Sequence, residues 1–197
     1  MGIGNELKLR LKRAPCMQLL MTPKEVELFK SYVLNAISYF EYGCGGSTVL
    51  VNSYPNIKYM VSVDSCSEWI KKTTRQISNS VKVNFYYVDI NGSCEGWGAP
   101  IDNSKMCDWI KYPSSILEQK EDFDLILVDG RFRVSCCAAA AIKMSKDSIL
   151  LLHDCERYKE IPLKKIDQVG SLAAYKRDSL YEEELLKILN QNKHDYS

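Results

Sequence analysis

The sequence predicts an α/β fold in which a mostly parallel sheet is doubly wound, with helices on both faces. Short apolar segments that end in Gly, Asp or His recur between residues 37 and 154. Segments with helical periodicity lie between them, so strands and helices alternate along the chain. This alternation is typical of parallel strands joined by right-handed helical crossovers.

Five segments are predicted to be buried parallel strands, because each is a short apolar run closed by a polar residue or a glycine. They are residues 37–42, 58–63, 82–88, 123–128 and 148–152. Two further segments, 165–169 and 172–177, are separated by Gly170 and predict a hairpin. One strand of that hairpin is expected to run antiparallel to the rest of the sheet.

Helix signals fill the remaining segments. Thr22-Pro23-Lys24-Glu25 has the pattern of a capping box with proline at the first helical position. Residues 134–144 carry small side chains that let a helix lie close to a sheet, and residues 179–190 predict a closing amphipathic helix. We expect one domain over residues 1–197, with a helical lead-in (1–35), a core (36–178) and a C-terminal helix and tail (179–197).

The first predicted strand ends in the loop Glu41-Tyr42-Gly43-Cys44-Gly45-Gly46-Ser47. Glycines let the backbone approach a ligand closely, and a helix starting near Ser47 directs N–H groups to the same place. A dinucleotide-binding fingerprint needs a glycine where this chain has Thr48. An acid, glycines and a small hydroxyl residue are instead the pattern of a loop that holds S-adenosylmethionine, whose amino group Glu41 is expected to bind.

Acidic residues also end the next two strands. Asp64 follows the second strand, where a carboxylate is well placed to accept from both ribose hydroxyls. Asp89 ends the third strand and is expected to accept from the adenine amino group. Trp69 lies near enough to Asp64 in sequence to flank the adenine ring.

Residues 15–177 resemble the class I S-adenosylmethionine-dependent methyltransferase superfamily. The resemblance rests on the glycine loop, on Asp64 and Asp89, on the strand Phe-Asp-Leu-Ile-Leu-Val-Asp-Gly at 123–130, and on the terminal hairpin. It implies a Rossmann-like, seven-stranded sheet of order 3-2-1-4-5-7-6 with strand 7 antiparallel. It also implies methyl transfer from S-adenosylmethionine, with S-adenosylhomocysteine as product. The residues expected to contact the cofactor are Glu41, Gly43, Cys44, Gly45, Ser47, Asp64, Ser65, Trp69 and Asp89.

The ends of the fourth and fifth strands suggest the acceptor chemistry. No Asn/Asp-Pro-Pro-aromatic motif, the mark of base-amino methyltransferases, follows the fourth strand. A hydroxyl acceptor needs a base or a cation, and Asp129 or His153 is expected to be that catalytic base. Asp129 and Asp154 are alternatively expected to bind Mg²⁺ or Mn²⁺. Metal-dependent relatives, however, usually have two adjacent acids after strand 5, where this chain has His153-Asp154.

Basic and aromatic residues near these strand ends predict the acceptor. Arg131, Arg133 and Arg157 suit a polar or anionic compound, and Trp97 suits the face of a sugar. Trp109 and Tyr112 are further candidates for a stacking surface. Together with the family resemblance, these residues predict O-methylation of a carbohydrate, a glycan or another small polar hydroxyl compound. A nucleotide-dependent oxidoreductase of the NAD(P) type and a non-catalytic domain of the same fold are the alternatives.

The amino-acid composition limits the classes of partner that this chain is expected to bind. The 197 residues include 26 Lys and Arg against 25 Asp and Glu, so a net charge of +1 argues against nucleic acid or an anionic membrane as partner. No apolar stretch is long enough to cross a bilayer. Eight cysteines without a Cys-x-x-Cys pair predict reduced thiols in the cytoplasm. The sequence leaves open whether the chain is a homodimer or a module of a larger protein.

Overall fold

The computed structural model describes residues 17–78, 82–158, 161–178 and 181–196. Within these residues the sheet has seven strands in the order β3-β2-β1-β4-β5-β7-β6, as predicted. Strands β1 to β5 pair in parallel, whereas β7 runs antiparallel to both β5 and β6. The strands are β1 (Ser38–Tyr42), β2 (Tyr59–Asp64), β3 (Val83–Tyr87), β4 (Leu125–Val128), β5 (Ile149–Leu152), β6 (Leu163–Val169) and β7 (Leu172–Arg177).

The helices lie between and after the strands. The predicted capping box is confirmed, because the Thr22 side chain accepts from the Glu25 backbone while the Glu25 carboxylate accepts from the Thr22 backbone. The described helices are α1 (Pro23–Val33), α2 (Gly46–Asn52), α3 (Ser67–Thr74), α4 (Lys111–Ser114), α5 (Arg133–Lys143) and α6 (Glu182–Gln191), with short 3₁₀ turns at Met106–Asp108 and Cys155–Arg157.

Strand boundaries agree with the sequence to within one or two residues. The largest extension is at β6, which starts at Leu163 instead of residue 165. Residues 1–16 of the predicted lead-in, and residues 179 and 180 of the predicted last helix, lie outside the described residues.

The central strands are buried on both faces. In β1, Phe40 and Tyr42 belong to one hydrophobic cluster and Tyr39 to the other, as alternation of side chains along a strand requires. The small residues of α5, including Cys136 and Cys137, are buried against one face of the sheet. A polar side chain in the middle of β1 therefore has no route to water, which decides the environment of Glu41.

The strand order also fixes where a ligand can lie. The carboxyl ends of β2, β1, β4 and β5 are consecutive along one edge of the sheet. Neighbouring strands are about 4.8 Å apart, so residues that are distant in sequence meet there. The order reverses between β1 and β4, and such a switch point is where open α/β sheets bind ligands.

Candidate active site

A cavity of about 600 Å³ lies at this edge of the sheet. Its walls come from the loops that follow four neighbouring strands, and from segments before α1 and after β3. The lining residues include Gln18–Leu20, Gly43–Ser47, Asp64–Cys66, Trp69, Cys94, Glu95, Trp97, Gly98, Tyr112, Asp129–Arg131, Arg133, His153, Asp154 and Arg157.

The glycine loop after β1 is in close contact with the loop after β4. Gly43 has a φ of +92°, and a Cβ added there would lie 3.0 Å from the backbone of Gly130. A side chain at Gly43 would therefore be strained and would also collide with the neighbouring loop. The bare backbone brings the ends of β1 and β4 together and leaves the main chain open to the cavity.

Asp64 joins the glycine loop to the end of β2. Its Oδ2 accepts from the Cys44 backbone at 2.9 Å and its Oδ1 accepts from the Cys66 backbone at 2.7 Å. Burial raises the pKa of Asp64, while these backbone hydrogen bonds oppose the rise. Each carboxylate oxygen keeps a second lone pair for a ligand hydroxyl. The glycine loop and Asp64, predicted to share a ligand, are thus in direct contact.

Glu41 does not line the cavity. It is fully buried, and its carboxylate accepts from the hydroxyls of Tyr39, Ser47, Thr48 and Ser62. Burial raises its pKa to about 7 despite these four hydrogen bonds. The expected contact with the cofactor amino group is therefore corrected. Glu41 instead fixes the start of α2 from behind the loop, because β1 is covered on both faces.

Asp89 also lies away from the cavity lining. Its side chain is 45% exposed and forms an ion pair with Lys105. It also accepts from the Asn91 backbone, and the Lys105 hydrogen bond holds its pKa below the usual value. Its expected contact with adenine is corrected, since an exposed acid beside a lysine has a closer partner.

An aromatic corner closes the β2 side of the cavity. Trp69 donates from its indole nitrogen to the Cys44 carbonyl at 2.5 Å, and Trp97 packs edge-on against Trp69 at 6.2 Å between ring centroids. Ser65 holds the loop that carries Trp97 by donating to the Gly98 carbonyl. Both tryptophans line the cavity. The predicted contact of Trp69 with adenine and the predicted contact of Trp97 with the acceptor stay predictions.

A disulfide joins Cys66 to Cys94 across the same corner. The prediction that all thiols are reduced is wrong for this pair. The two residues are 28 apart in sequence, on separate loops that only the fold brings together. The free thiols among the described residues are Cys44, Cys107, Cys136, Cys137 and Cys155.

The β4 and β5 ends form an acid-base pair. His153 Nδ1 lies 3.1 Å from Asp129 Oδ1, and both residues line the cavity. Burial lowers the pKa of His153, but Asp129 and the nearby Asp154 outweigh it and raise the pKa above its usual value. This geometry favours the tautomer with a proton on Nδ1, which leaves Nε2 to act as a base.

Arg133 is the centre of a buried ion cluster. It is 5% exposed, and its guanidinium lies 3.2 Å from Asp129 Oδ1 and 3.0 Å from Asp154 Oδ2. The same guanidinium donates to the carbonyls of Gly130, His153 and Asp129. All three nitrogens are therefore committed to protein acceptors. Its expected role as a substrate ligand is corrected to one of holding the β4 and β5 ends together.

The ion cluster around Arg133 occupies the position predicted for a metal ion. Asp129 and Asp154 were the expected Mg²⁺ or Mn²⁺ ligands, but the Arg133 guanidinium lies between them. No group of three or more metal-ligating side chains exists within the described ranges. A divalent cation at this position would have to displace a buried guanidinium, so these residues do not fit a metal.

Of the other residues predicted to contact the acceptor, most line the cavity but Trp109 does not. Arg131, Arg157 and Trp97 line the cavity, and Arg157 forms a 3.4 Å ion pair with Asp154. Trp109 is 2% exposed and packs against Phe132, His194 and Tyr196, so it is not part of the predicted stacking surface. Tyr112 reaches the cavity even though it is almost fully buried.

Two contributions were missed from the sequence. The segment Gln18–Leu20 closes over Gly46, whose added Cβ would lie 2.5 Å from the Gln18 carbonyl oxygen. Cys94 and Glu95 come from the long loop after β3. Only the glycine-rich composition of residues 90–98 could have pointed to that loop, and nothing local marks Gln18–Leu20.

Comparison with known proteins finds solved methyltransferase structures that share this fold. No family model and no curated protein matches the sequence. A solved structure of a methyltransferase-like protein from Silicibacter pomeroyi DSS-3 is 27% identical, covers 91% of this chain and 98% of its own, and superimposes with a TM-score of 0.77. The chain has the fold of the class I S-adenosylmethionine-dependent methyltransferase superfamily.

More distant methyltransferases share the fold. The N-methyltransferase NodS from Bradyrhizobium japonicum WM9 is 13% identical over 78% of this chain and 94% of its own, with a TM-score of 0.51. The O-methyltransferase TomG from Streptomyces achromogenes, solved in complex with SAM, is 11% identical over 80% of this chain and 79% of its own, with a TM-score of 0.50. The chain therefore has its predicted architecture in common with an N-methyltransferase and an O-methyltransferase.

Proposed function

We propose that this methyltransferase binds S-adenosylmethionine in the cavity and transfers the methyl group to a hydroxyl oxygen of a small polar acceptor, a carbohydrate in the simplest case. One observation carries the proposal. The Asp129–His153 pair lies in the same cavity as the glycine loop and Asp64. A cofactor subsite and a base would thus share one cavity.

The cofactor subsite fits the β2 and β1 side of the cavity. Asp64 keeps lone pairs for the ribose hydroxyls, and the open backbone of Gly43–Gly45 suits the amino-acid portion. Trp69 and Trp97 supply apolar surface for the adenine ring. Cys44, Ser47 and Ser65 remain proposed contacts because all three line the cavity.

Residues of the chain then align the acceptor and remove its proton. When bound, the cofactor supplies an already activated methyl group, so alignment and deprotonation of the acceptor are what the protein must provide. Asp129 accepts from His153 Nδ1–H and orients the ring. His153 Nε2 takes the hydroxyl proton as the acceptor oxygen bonds to the methyl carbon and the sulfur–methyl bond breaks. Arg133 keeps Asp129 in position.

Calorimetry with S-adenosylhomocysteine and with NAD tests the cofactor assignment. We expect the homocysteine compound to bind and NAD not to bind, because the glycine loop lacks the dinucleotide spacing. Asp64→Asn should weaken binding by about tenfold, which is the effect of one lost charged hydrogen bond. Tight NAD binding without S-adenosylhomocysteine binding would assign the protein to the oxidoreductases.

Methyl transfer tests the base. Mass spectrometry of a panel of sugars and other hydroxyl compounds, incubated with labelled cofactor, should show a methylated product. We expect His153→Ala to lower turnover by on the order of 100-fold or more. His194→Ala is the matched control, since His194 packs against Trp109 and is not part of the cavity. Equal loss in both variants, or full turnover in His153→Ala, would remove the base assignment.

A further inference from the structure

The acceptor side of the cavity has more cations than anions. Arg131, Arg133 and Arg157 all line it, whereas the carboxylates on that side are Asp129 and Asp154. Arg133 is bound to both carboxylates, and Arg157 shares Asp154. The described part of the chain thus leaves the Arg131 guanidinium without a carboxylate.

The Arg131 side chain is unusual in a second way. Its Nε is buried and has no hydrogen-bond partner among the described residues. Buried polar groups are nearly always paired, so an unpaired guanidinium nitrogen at a cavity wall needs an explanation. The neighbouring guanidiniums of Arg133 and Arg157 add repulsion, which burial strengthens.

Hydrogen bonds fix the backbone of Arg131. The Arg131 carbonyl accepts from Cys136 Sγ at 3.2 Å, and its backbone forms a hydrogen bond with the buried Tyr112 hydroxyl. Phe132, the next residue, has a left-handed backbone with a φ of +55° and begins the turn into α5. The Arg131 side chain therefore extends from a backbone that packed elements hold, and not from a loose surface segment.

We propose that the acceptor of this methyltransferase carries an oxyanion, a carboxylate or a phosphate, that the Arg131 guanidinium binds, with Arg157 as a second cation at the rim. A guanidinium fork matches both anions and binds them through two parallel hydrogen bonds. Arg131 is two residues after Asp129, so an anion there places a nearby hydroxyl of the same molecule towards the Asp129–His153 pair. The inference rests on the proposed function and names its substrate class.

The test is a titration of acetate and of inorganic phosphate into the protein, with and without saturating S-adenosylhomocysteine. We expect one of the two anions to bind with a Kd on the order of 1 mM, and the better one to distinguish a carboxylate from a phosphate acceptor. Arg131→Met should weaken that binding by about tenfold or more, and Arg131→Lys by less. Arg75→Met, an exposed arginine at the end of α3 outside the cavity, should leave it unchanged.

Three results would overturn the inference. They are no binding of either anion to the wild-type protein, equal binding by wild type and Arg131→Met, and a loss confined to S-adenosylhomocysteine affinity. The last would assign Arg131 to the cofactor carboxylate. The far-ultraviolet circular dichroism and melting temperature of Arg131→Met and Arg131→Lys identify a variant that does not fold. Failure of the wild type to bind S-adenosylhomocysteine counts against the proposed function alone, because the anion titration is also performed without it.

Discussion

At the scale of single residues, the site depends on which titratable groups are exposed to the cavity and which are enclosed. His153 faces the cavity beside Asp129, whereas Glu41 lies behind the glycine loop among hydroxyl groups. Both have a raised pKa, but for different reasons. Neighbouring carboxylates outweigh burial at His153, whereas burial itself is the cause at Glu41. The two groups therefore predict different pH effects.

We expect kcat/KM of the wild type to rise with pH through the pKa of His153, because only neutral imidazole can accept the hydroxyl proton. Asp129 and Asp154 raise this pKa, Arg133 lowers it, and Glu25 also lies within electrostatic range. Asp129→Asn should therefore move the rising limb to lower pH and lower the plateau. Profiles of kcat/KM against pH, with the remote Asp108→Asn as control, measure both effects. An unmoved limb in Asp129→Asn would exclude His153 as the base.

Glu41 should make stability depend on pH. Its pKa is raised from 4.5 to about 7 on folding, so between these values the folded protein holds a proton that the unfolded chain has lost. The free energy of unfolding should therefore fall as pH rises through this range and level off above it. Glu41→Gln cannot ionise, so its melting temperature relative to wild type should increase from pH 5 to pH 8.

Thermal denaturation followed by circular dichroism over that pH range checks the expectation. Glu118→Gln, at an exposed position, is the matched control and should track the wild type at every pH. A constant difference between Glu41→Gln and wild type across the range would mean that Glu41 titrates normally.

At the scale of elements, helix α5 begins at a junction of strained turns. Phe132 and Asp154 both have positive φ, just after the ends of β4 and β5. Such conformations persist where surrounding contacts determine them, and they concentrate at functional sites. Arg133, the first residue of α5, supplies those contacts by binding groups from both strand ends.

Removing that guanidinium should therefore loosen the site. We expect Arg133→Met to destabilise the fold by on the order of 2 kcal/mol and to lower turnover, since charged hydrogen bonds are lost. Excess EDTA should leave wild-type turnover unchanged, because the position between the two acids is already taken. Denaturant melts and turnover assays measure these effects, with Arg75→Met as an exposed control. Loss of activity in EDTA that Mg²⁺ restores would contradict this view of the cluster.

The Cys66–Cys94 disulfide ties the loop after β3 to the start of α3. A bridge of this span stabilises a protein by about 3 kcal/mol, mainly by restricting the unfolded chain. We expect Cys94→Ser to lower the melting temperature and to weaken S-adenosylhomocysteine binding, because Trp97 loses its support. Dithiothreitol should reproduce both effects in the wild type.

Cys107→Ser is the control for the bridge, since Cys107 is an exposed free thiol. Dithiothreitol should have no further effect on Cys94→Ser. Equal melting temperatures for wild type and Cys94→Ser under oxidising conditions would show that the bridge does not form in solution.

At the scale of the whole molecule, the order of the strands separates two charge environments. Asp64 and Glu95 lie at the β2 and β3 side of the cavity, and the arginine cluster lies at the β4 and β5 side. A cationic sulfonium with its sugar suits the first, and an anionic acceptor suits the second. Within the described ranges no helix is long and apolar enough to cross a membrane. The cytoplasmic location, the carbohydrate acceptor and the homodimer or larger assembly stay predictions.

The elements that the sequence predicts correctly are those that local chemistry determines. Short apolar runs closed by a polar residue or a glycine predicted the five parallel strands, and the capping box predicted the start of α1, because hydrogen bonds and burial over a few residues determine these elements. The roles of individual side chains are predicted less well. Glu41, Asp89 and Arg133 were each predicted to contact a ligand from their positions at or near strand ends, and each has a nearer protein partner.

The sequence by itself therefore determined the sheet, the glycine loop and the pairing of that loop with Asp64. Only the tertiary structure decided that Glu41 is enclosed, that Arg133 lies between the two acids, that Cys66 meets Cys94, and that Arg131 Nε has no hydrogen-bond partner among the described residues. The physical reason is that strand patterns are local, whereas burial and charge pairing depend on residues brought together from distant parts of the chain.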